Sequence, residues 1–227
     1  MREAKIVAVF LAAGKSERMG FPKLWLQLGT ECLGNWAFRA AVQSLIDHTI
    51  VVTREDDRLD WMDCSFHKSP YHRKWSQLTC KDSVQGQSSS LVAGIKKAEE
   101  LLPDGIIVLL ADQPFITKEM INELIVYFNK ESPLAFVAAC HQKRMRPPVV
   151  FSRHLAAQVK GISGDHGARH IFRTNKYLNG KIVHYSNPAL FSDVDTQEDY
   201  KEVKEQMRGE DSRGLHWKKC NPARSLG

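Results

Sequence analysis

Between Leu11 and Lys23 the chain reads LAAGKSERMGFPK, which sets Gly14, Ser16, Arg18, Gly20 and Lys23 directly behind an apolar run over residues 6–11. Residues of these types gather anions. Glycines let the backbone approach closely, peptide N–H groups at such a turn form an anion-binding concavity, and the cations add charge. Arg18 can grip two oxygens with its planar fork, whereas Lys23 acts as a point charge. Two familiar phosphate-loop patterns fail on this stretch. Gly14-Lys15-Ser16 matches the end of a Walker loop, but the position of its leading glycine is Val9. Gly14 and Gly20 stand six apart, without the middle glycine of a dinucleotide fingerprint. An anion-binding loop of another kind remains.

Carboxylates recur where they could serve such a ligand. Asp112 follows the apolar run at residues 106–110, and a carboxylate at the end of a buried strand suits Mg²⁺, which takes one or two carboxylates together with phosphate oxygens. The competing reading of Asp112-Gln113-Pro114 is a plain turn. Asp193 and Asp195 alternate in "FSDVDTQEDY", so an extended backbone turns both to one side. Asp195 with Glu198 also reads as a capping box that needs no metal. Gly86, followed by Ser88, Ser89 and Ser90, opens a helical pattern with small hydrogen-bonding groups and free N–H donors. Gly164-Asp165-His166-Gly167-Ala168-Arg169 is a glycine loop entering another helix, and Arg169 could meet a phosphate there.

The elements that must position these residues alternate between strand and helix. Strands are expected at 5–11, 50–53, 106–110, 135–140, 149–151 and 181–185, and helices at 33–46, 88–102, 117–129, 153–159, 168–174 and 195–206. Thr117 is the expected N-cap of its helix. The stretch 54–83 shows no clear period. Such alternation predicts an α/β domain with a mostly parallel sheet, and in open sheets of this kind ligands bind beyond the carboxyl ends of the strands. The domain is expected to span residues 1–208. The polar, aperiodic stretch 209–227 reads as a mobile tail.

Composition narrows the function. With 227 residues, 43% hydrophobic and 26% charged, the chain can bury one core without staples. Its five cysteines are scattered, with no zinc or redox spacing, so reduced thiols are expected. The net charge of +6 comes from basic residues interleaved with acids, which favours a cleft for a small polyanion such as a nucleoside triphosphate over nucleic acid. Neither a signal-peptide h-region nor a membrane span is visible. The reading is a cytoplasmic protein with no membrane or nucleic-acid partner.

Taken in order, these motifs resemble a known family. Leu11-Ala12-Ala13-Gly14-x-Ser16-x-Arg18-Met19-Gly20-x-x-Lys23 is similar to the signature loop of nucleotidyltransferases like the molybdenum-cofactor cytidylyl- and guanylyltransferases, in the branch that matures xanthine dehydrogenase. "GQSSSLVAGI", "LLADQPF", "GDHGAR" and "FSDVDTQEDY" resemble its further motifs. The resemblance implies a Rossmann-like three-layer nucleotidyltransferase fold. It implies that Leu11, Ala12, Ala13, Gly14, Ser16, Gly86, Ser88, Ser89 and Ser90 bind the nucleotide, and that Arg18 and Lys23 hold the phosphates that leave as pyrophosphate. Mg²⁺ would sit on Asp112 with Asp193 or Asp195, the choice between these two staying open. Gly164, Asp165, Gly167 and Arg169 would receive the acceptor.

The Leu-Ala-Ala-Gly form is typical of the cytidylyl branch. It implies CTP as substrate, a molybdopterin-type acceptor, and a transient complex with a molybdenum hydroxylase. Alternatives on the same fold are GTP as donor or a sugar or alditol phosphate as acceptor; a cofactor-delivering chaperone without catalysis is another. Two departures stand out: Arg146-Pro147 where the family often has glycine before proline, and Trp25 where a smaller residue is usual and the loop is expected to repack.

Overall fold

The computed structural model describes residues 3–81, 87–130, 133–159 and 178–211. Its centre is β1 (Ile6–Leu11), six apolar residues that are all buried. A strand buried on both faces needs no polar alternation. β1 pairs in parallel with β4 (His48–Thr53) on one side and β6 (Gly105–Leu110) on the other. The seven-stranded sheet runs in the order β5-β4-β1-β6-β8-β7-β9, where β5 is Trp75–Thr79, β7 Phe136–His141, β8 Arg144–Ser152 and β9 Gly180–His184. Only β8 runs against its neighbours. β2 (Gln27–Leu28) and β3 (Glu31–Cys32) form a separate small hairpin.

Alternation along β1 feeds two helical layers. Ile6, Ala8 and Phe10 pack with α1 (Leu33–Gln43) and α3 (Lys118–Lys130) through Phe38, Ala41, Ile121 and Leu124. Val7, Val9 and Leu11 face α2 (Gln87–Glu99) and α4 (Arg153–Val159) through Leu91, Ile95, Leu155 and Ala156. The result is the expected three-layer α/β fold with a largely parallel sheet. A third cluster, including Leu28, Leu33, Trp36, Phe115, Val194 and Val203, ties α5 (Gln197–Asp211) to the strand ends. That helix continues past Arg208. Among the described residues no helix is long and apolar enough to cross a membrane.

Several expected boundaries shift for physical reasons. α1 ends at Gln43 rather than Ile46, because Ser44 turns extended and its hydroxyl donates back to the Ala41 carbonyl at 2.6 Å. The stretch without a clear period contains β5, an edge strand paired to β4, with Trp75 against Phe38. The short strand expected at 149–151 is the end of the nine-residue β8, joined to β7 through Gln142 and Lys143, both at positive φ. Such a two-residue turn matches the twist of its strands. α2 stops at Glu99, short of Leu102. Thr117 caps α3 as expected, accepting from the Met120 N–H at 3.2 Å.

Candidate active site

The sheet order changes direction at β1. The chain moves from β1 outward through β4 to β5, then returns to β6 on the other side. The carboxyl ends of β1 and β6 therefore flank a topological switch point, where open α/β sheets bind ligands. The two ends are joined by a bond from the Ala111 N–H to the Leu11 carbonyl at 3.1 Å. From β1 the anion-binding loop departs; from β6 comes Asp112.

The loop is held shut at its neck. Ser16 takes φ +54, unusual for a residue with a Cβ, and Gly20 takes φ +74 where glycine is at ease. The Ser16 carbonyl accepts from the N–H groups of Met19 and Gly20, while its hydroxyl accepts from the Lys23 N–H at 3.1 Å. Met19 and Leu24 anchor the loop in the core. A Cβ added at Gly14 would meet nothing nearer than the Lys23 Cε at 3.9 Å. The protein's own packing thus does not require glycine at this position.

Lys23 is the centre of the site. Though charged, it is only 7% exposed, and its ammonium donates to Asp112 Oδ2 and Asp195 Oδ1, each at 2.6 Å. Burial pulls the Lys23 pKa down, but Asp112 and then Asp195 outweigh it and hold the ammonium protonated above the usual lysine value. Burial pushes the Asp112 carboxyl up; Lys23 opposes this, and the nearby Asp195 and Asp193 add to the rise.

Asp112 is brought to these residues by its own backbone, since its carbonyl accepts from the Val194 N–H at 3.1 Å. Val194 is fully buried, so Asp193 and Asp195 on either side turn together away from the core. Asp193 lies 3.9 Å from Arg146 and Asp195 on Lys23.

The capping box sits one residue later than expected. Thr196 Oγ1 accepts from the Asp199 N–H at 3.2 Å, and Asp199 Oδ2 accepts from the Thr196 N–H at 2.7 Å. Asp195 leaves the capping to Thr196 and accepts from Lys23.

The carboxylate donors gathered here are of the kind a hard divalent cation takes, with Lys23 bridging two of them. Asp112 Oδ1 is buried and has no hydrogen-bond partner among the described residues, leaving a lone pair for a ligand. Among the described residues no group of three or more His, Cys, Asp or Glu side chains makes a closed metal cage. Mg²⁺ needs none, because water and phosphate oxygens complete its octahedron.

Other expected site residues fall variously. Arg18 stands exposed on the loop, and Lys15 leans on Glu17 at 3.3 Å. Ser88 and Ser89 are half-buried and Ser90 buried in the first turn of α2. Trp25 does not repack the loop inward; it is 49% exposed. Gly86, Gly164, Asp165, Gly167 and Arg169 lie outside the described residues. Arg146 was visible in the sequence as a departure, but nothing local signalled its approach to Asp193.

Comparison with known proteins decides the family. A MobA-like NTP transferase domain matches residues 8–180. The chain belongs to that family. Over 208 residues the transferase is 36% identical to the purine catabolism protein PucB of Bacillus subtilis (strain 168), covering 91% of this chain and 100% of that protein. It is 24% identical over 208 residues to a probable molybdenum cofactor guanylyltransferase of Geobacillus sp. (strain WCH70), with 88% and 98% covered. The crystal structure of Rv0371c from Mycobacterium tuberculosis H37Rv, in complex with manganese, aligns with a TM-score of 0.65 at 19% identity, covering 88% of this chain and 98% of that one. That identity establishes the shared fold. The transferase is accordingly an enzyme of nucleotidyl transfer.

Proposed function

We propose that the transferase moves a cytidylyl group from CTP to a phosphate oxygen of a molybdopterin-type molybdenum cofactor, for a hydroxylase of the xanthine-dehydrogenase type. The observation that carries this reading is the junction of Lys23 with Asp112 and Asp195 at the switch point, beside a loop open at Gly14. The Leu11-Ala12-Ala13-Gly14 form supports CTP over GTP. A relative named for purine catabolism supports a client that acts on a purine.

In this reaction the acceptor oxygen bonds to the α-phosphorus, the α–β bridging bond breaks, and its electron pair leaves on pyrophosphate. No covalent enzyme nucleophile takes part. Backbone N–H groups of the loop wrap the triphosphate, with Ser88, Ser89 and Ser90 at the nucleoside. Arg18, exposed on the loop, closes on the outer phosphates. Lys23 lies at the wall where charge builds on the leaving group. Asp112, through its unpartnered Oδ1, and Asp195 or Asp193 would hold Mg²⁺, which when bound neutralises phosphate charge and polarises the α-phosphate. Manganese bound by the structural neighbour Rv0371c supports a divalent ion on this fold. Gly164, Asp165, Gly167 and Arg169 receive the pterin side. Alignment and preorganised charge supply the acceleration.

Mass spectrometry of product after incubation with the molybdenum cofactor and each of CTP, GTP, ATP and UTP tests the proposal. A cytosine dinucleotide with matching pyrophosphate is expected. A guanine dinucleotide would overturn the base; no product from any nucleotide would overturn the acceptor.

A further inference from the structure

The two carboxylates that flank Val194 each meet a different cation. Asp195 holds Lys23 from the loop after β1, at 2.6 Å. Asp193 faces Arg146 from β8, at 3.9 Å. The site thus has a cationic group on each side of one extended segment, and only the first is firmly bonded.

Arg146 reaches this place through an irregularity in the sheet. β8 pairs with β6 as far as Val149, opposite Val108. Its register with β7 then shifts, Ala138 facing Val149 but Ala139 facing Arg146. Pro147 and Pro148 occupy the step. Neither can donate to a ladder, which confines such residues to bulges and edges. A bulge bends its strand and re-aims the next side chain, and here that side chain is Arg146. Because β8 runs against β6, its first residues lie at the carboxyl edge of β6, the edge that carries Asp112.

The guanidinium is held loosely. The NH1 nitrogen serves both Asp193 at 3.9 Å and the Phe191 carbonyl at 3.5 Å, and the side chain is 33% exposed. Both distances are well beyond the 2.7–2.9 Å of a charge-assisted bond. No bond from Nε or NH2 is made among the described residues. Arg144 and Lys143 follow on the exposed hairpin, and no acidic residue occurs from His141 to Ser152.

Chemistry calls for a cation on this side. In the proposed reaction the attacker is an ionised phosphate and the electrophile sits in a polyanion, so the reactants repel. Lys23 and the loop serve the nucleotide. The acceptor phosphate needs its own counter-charge, and a fork that grips two of its oxygens leaves the third to attack.

We propose that Arg146 binds the phosphate group of the acceptor, that Asp193 holds the guanidinium until this phosphate replaces it, and that the transferase therefore selects phosphate-monoester acceptors. This rests on the nucleotidyl-transfer reading above and assigns the acceptor side of that site.

The test loads full-length protein with Mg²⁺ and α,β-methylene CTP, which fills the nucleotide phosphate positions, and then titrates inorganic phosphate by calorimetry. Wild type is expected to bind phosphate saturably. Arg146→Met should weaken that binding by about tenfold or more, the equivalent of about 1.4 kcal/mol, with affinity for the CTP analogue unchanged. Arg146→Lys should recover part of the loss. Equal phosphate affinity in wild type and Arg146→Met would overturn the assignment, as would no phosphate binding by wild type. Loss of both ligands in Arg146→Met would show a structural role instead. Failure of the analogue to bind wild type at all would overturn the underlying cytidylyl reading, a result seen before any phosphate is added.

Discussion

The backbone N–H of Val194 donates to the carbonyl of Asp112 at 3.1 Å, and this bond sets the geometry of the site. It joins the end of β6 to a segment more than eighty residues away. With Val194 sunk in the core, Asp193 and Asp195 must face outward beside Asp112. Lys23 then bridges Asp112 to Asp195 from the loop after β1. Three distant stretches are thus locked around one ammonium group.

Removing that group should damage turnover and also lower stability, because Asp112 would be left buried without its counter-charge. Lys23→Met keeps the length of the side chain and deletes its charge. Loss of a comparable electrostatic stabiliser costs about 2.7–4 kcal/mol, or 10²–10³ in rate. Asp112→Ala should abolish turnover outright. Pyrophosphate release at saturating CTP measures both, with circular dichroism confirming the fold. Wild-type rates in either variant would remove that residue from the mechanism.

Gly94 governs how closely α2 approaches the sheet. A Cβ there would sit 2.4 Å from Val9 Cγ1 and 2.9 Å from Val52 Cγ2. Alanine would gain about 0.5–1 kcal/mol of helix propensity, but overpacking a filled core costs about 1–3 kcal/mol. The second effect wins. Gly94→Ala is expected to lower the urea midpoint and to weaken CTP binding, because α2 carries Ser88 to Ser90 at its start. A raised midpoint would show that the helix can shift without cost.

Acid should loosen α5 through Asp199. Burial works to raise this carboxyl, but hydrogen bonds from Thr196 and from the N–H of Asp195 outweigh it and hold the pKa below the ordinary 3.8. As pH falls, the unfolded chain takes up the proton first. The stabilisation is therefore complete above 3.8 and is lost as pH drops through the lower folded value. Asp199→Asn removes a negative charge at a helix N-terminus, costing about 0.3–1 kcal/mol near neutrality. Thermal midpoints of the two proteins should converge below 3.8. A constant difference down to pH 2 would show that the charge contributes nothing.

Strands buried on both faces were the legible part of this fold. Apolar runs at residues 6–11 and 106–110 have no other good interpretation, and the loop and Asp112 could be placed because they end those runs. β5 was hidden because Trp75 and Leu78 are its only large apolar residues, and its partners Phe38 and Phe66 come from elsewhere in the chain. In β8 only the Val149–Phe151 half carries strand character; the other half is cationic and broken by prolines at the bulge. Lys23 could be read as a phosphate ligand, yet not as the partner of carboxylates 89 and 172 residues away. The one-residue error in the α5 cap has the same origin. Asp195 and Thr196 are both good N-cap residues, and the choice falls to Thr196 because Lys23 engages Asp195.

Calorimetric titration of CTP into wild type and Asp112→Asn, with and without Mg²⁺, addresses the centre of this mechanism. Mg²⁺ should tighten CTP binding to wild type by at least about tenfold, or about 1.4 kcal/mol. In Asp112→Asn that increment should vanish. Equal binding with and without Mg²⁺, or an undiminished increment in Asp112→Asn, would contradict a metal-assisted nucleotide site at the end of β6.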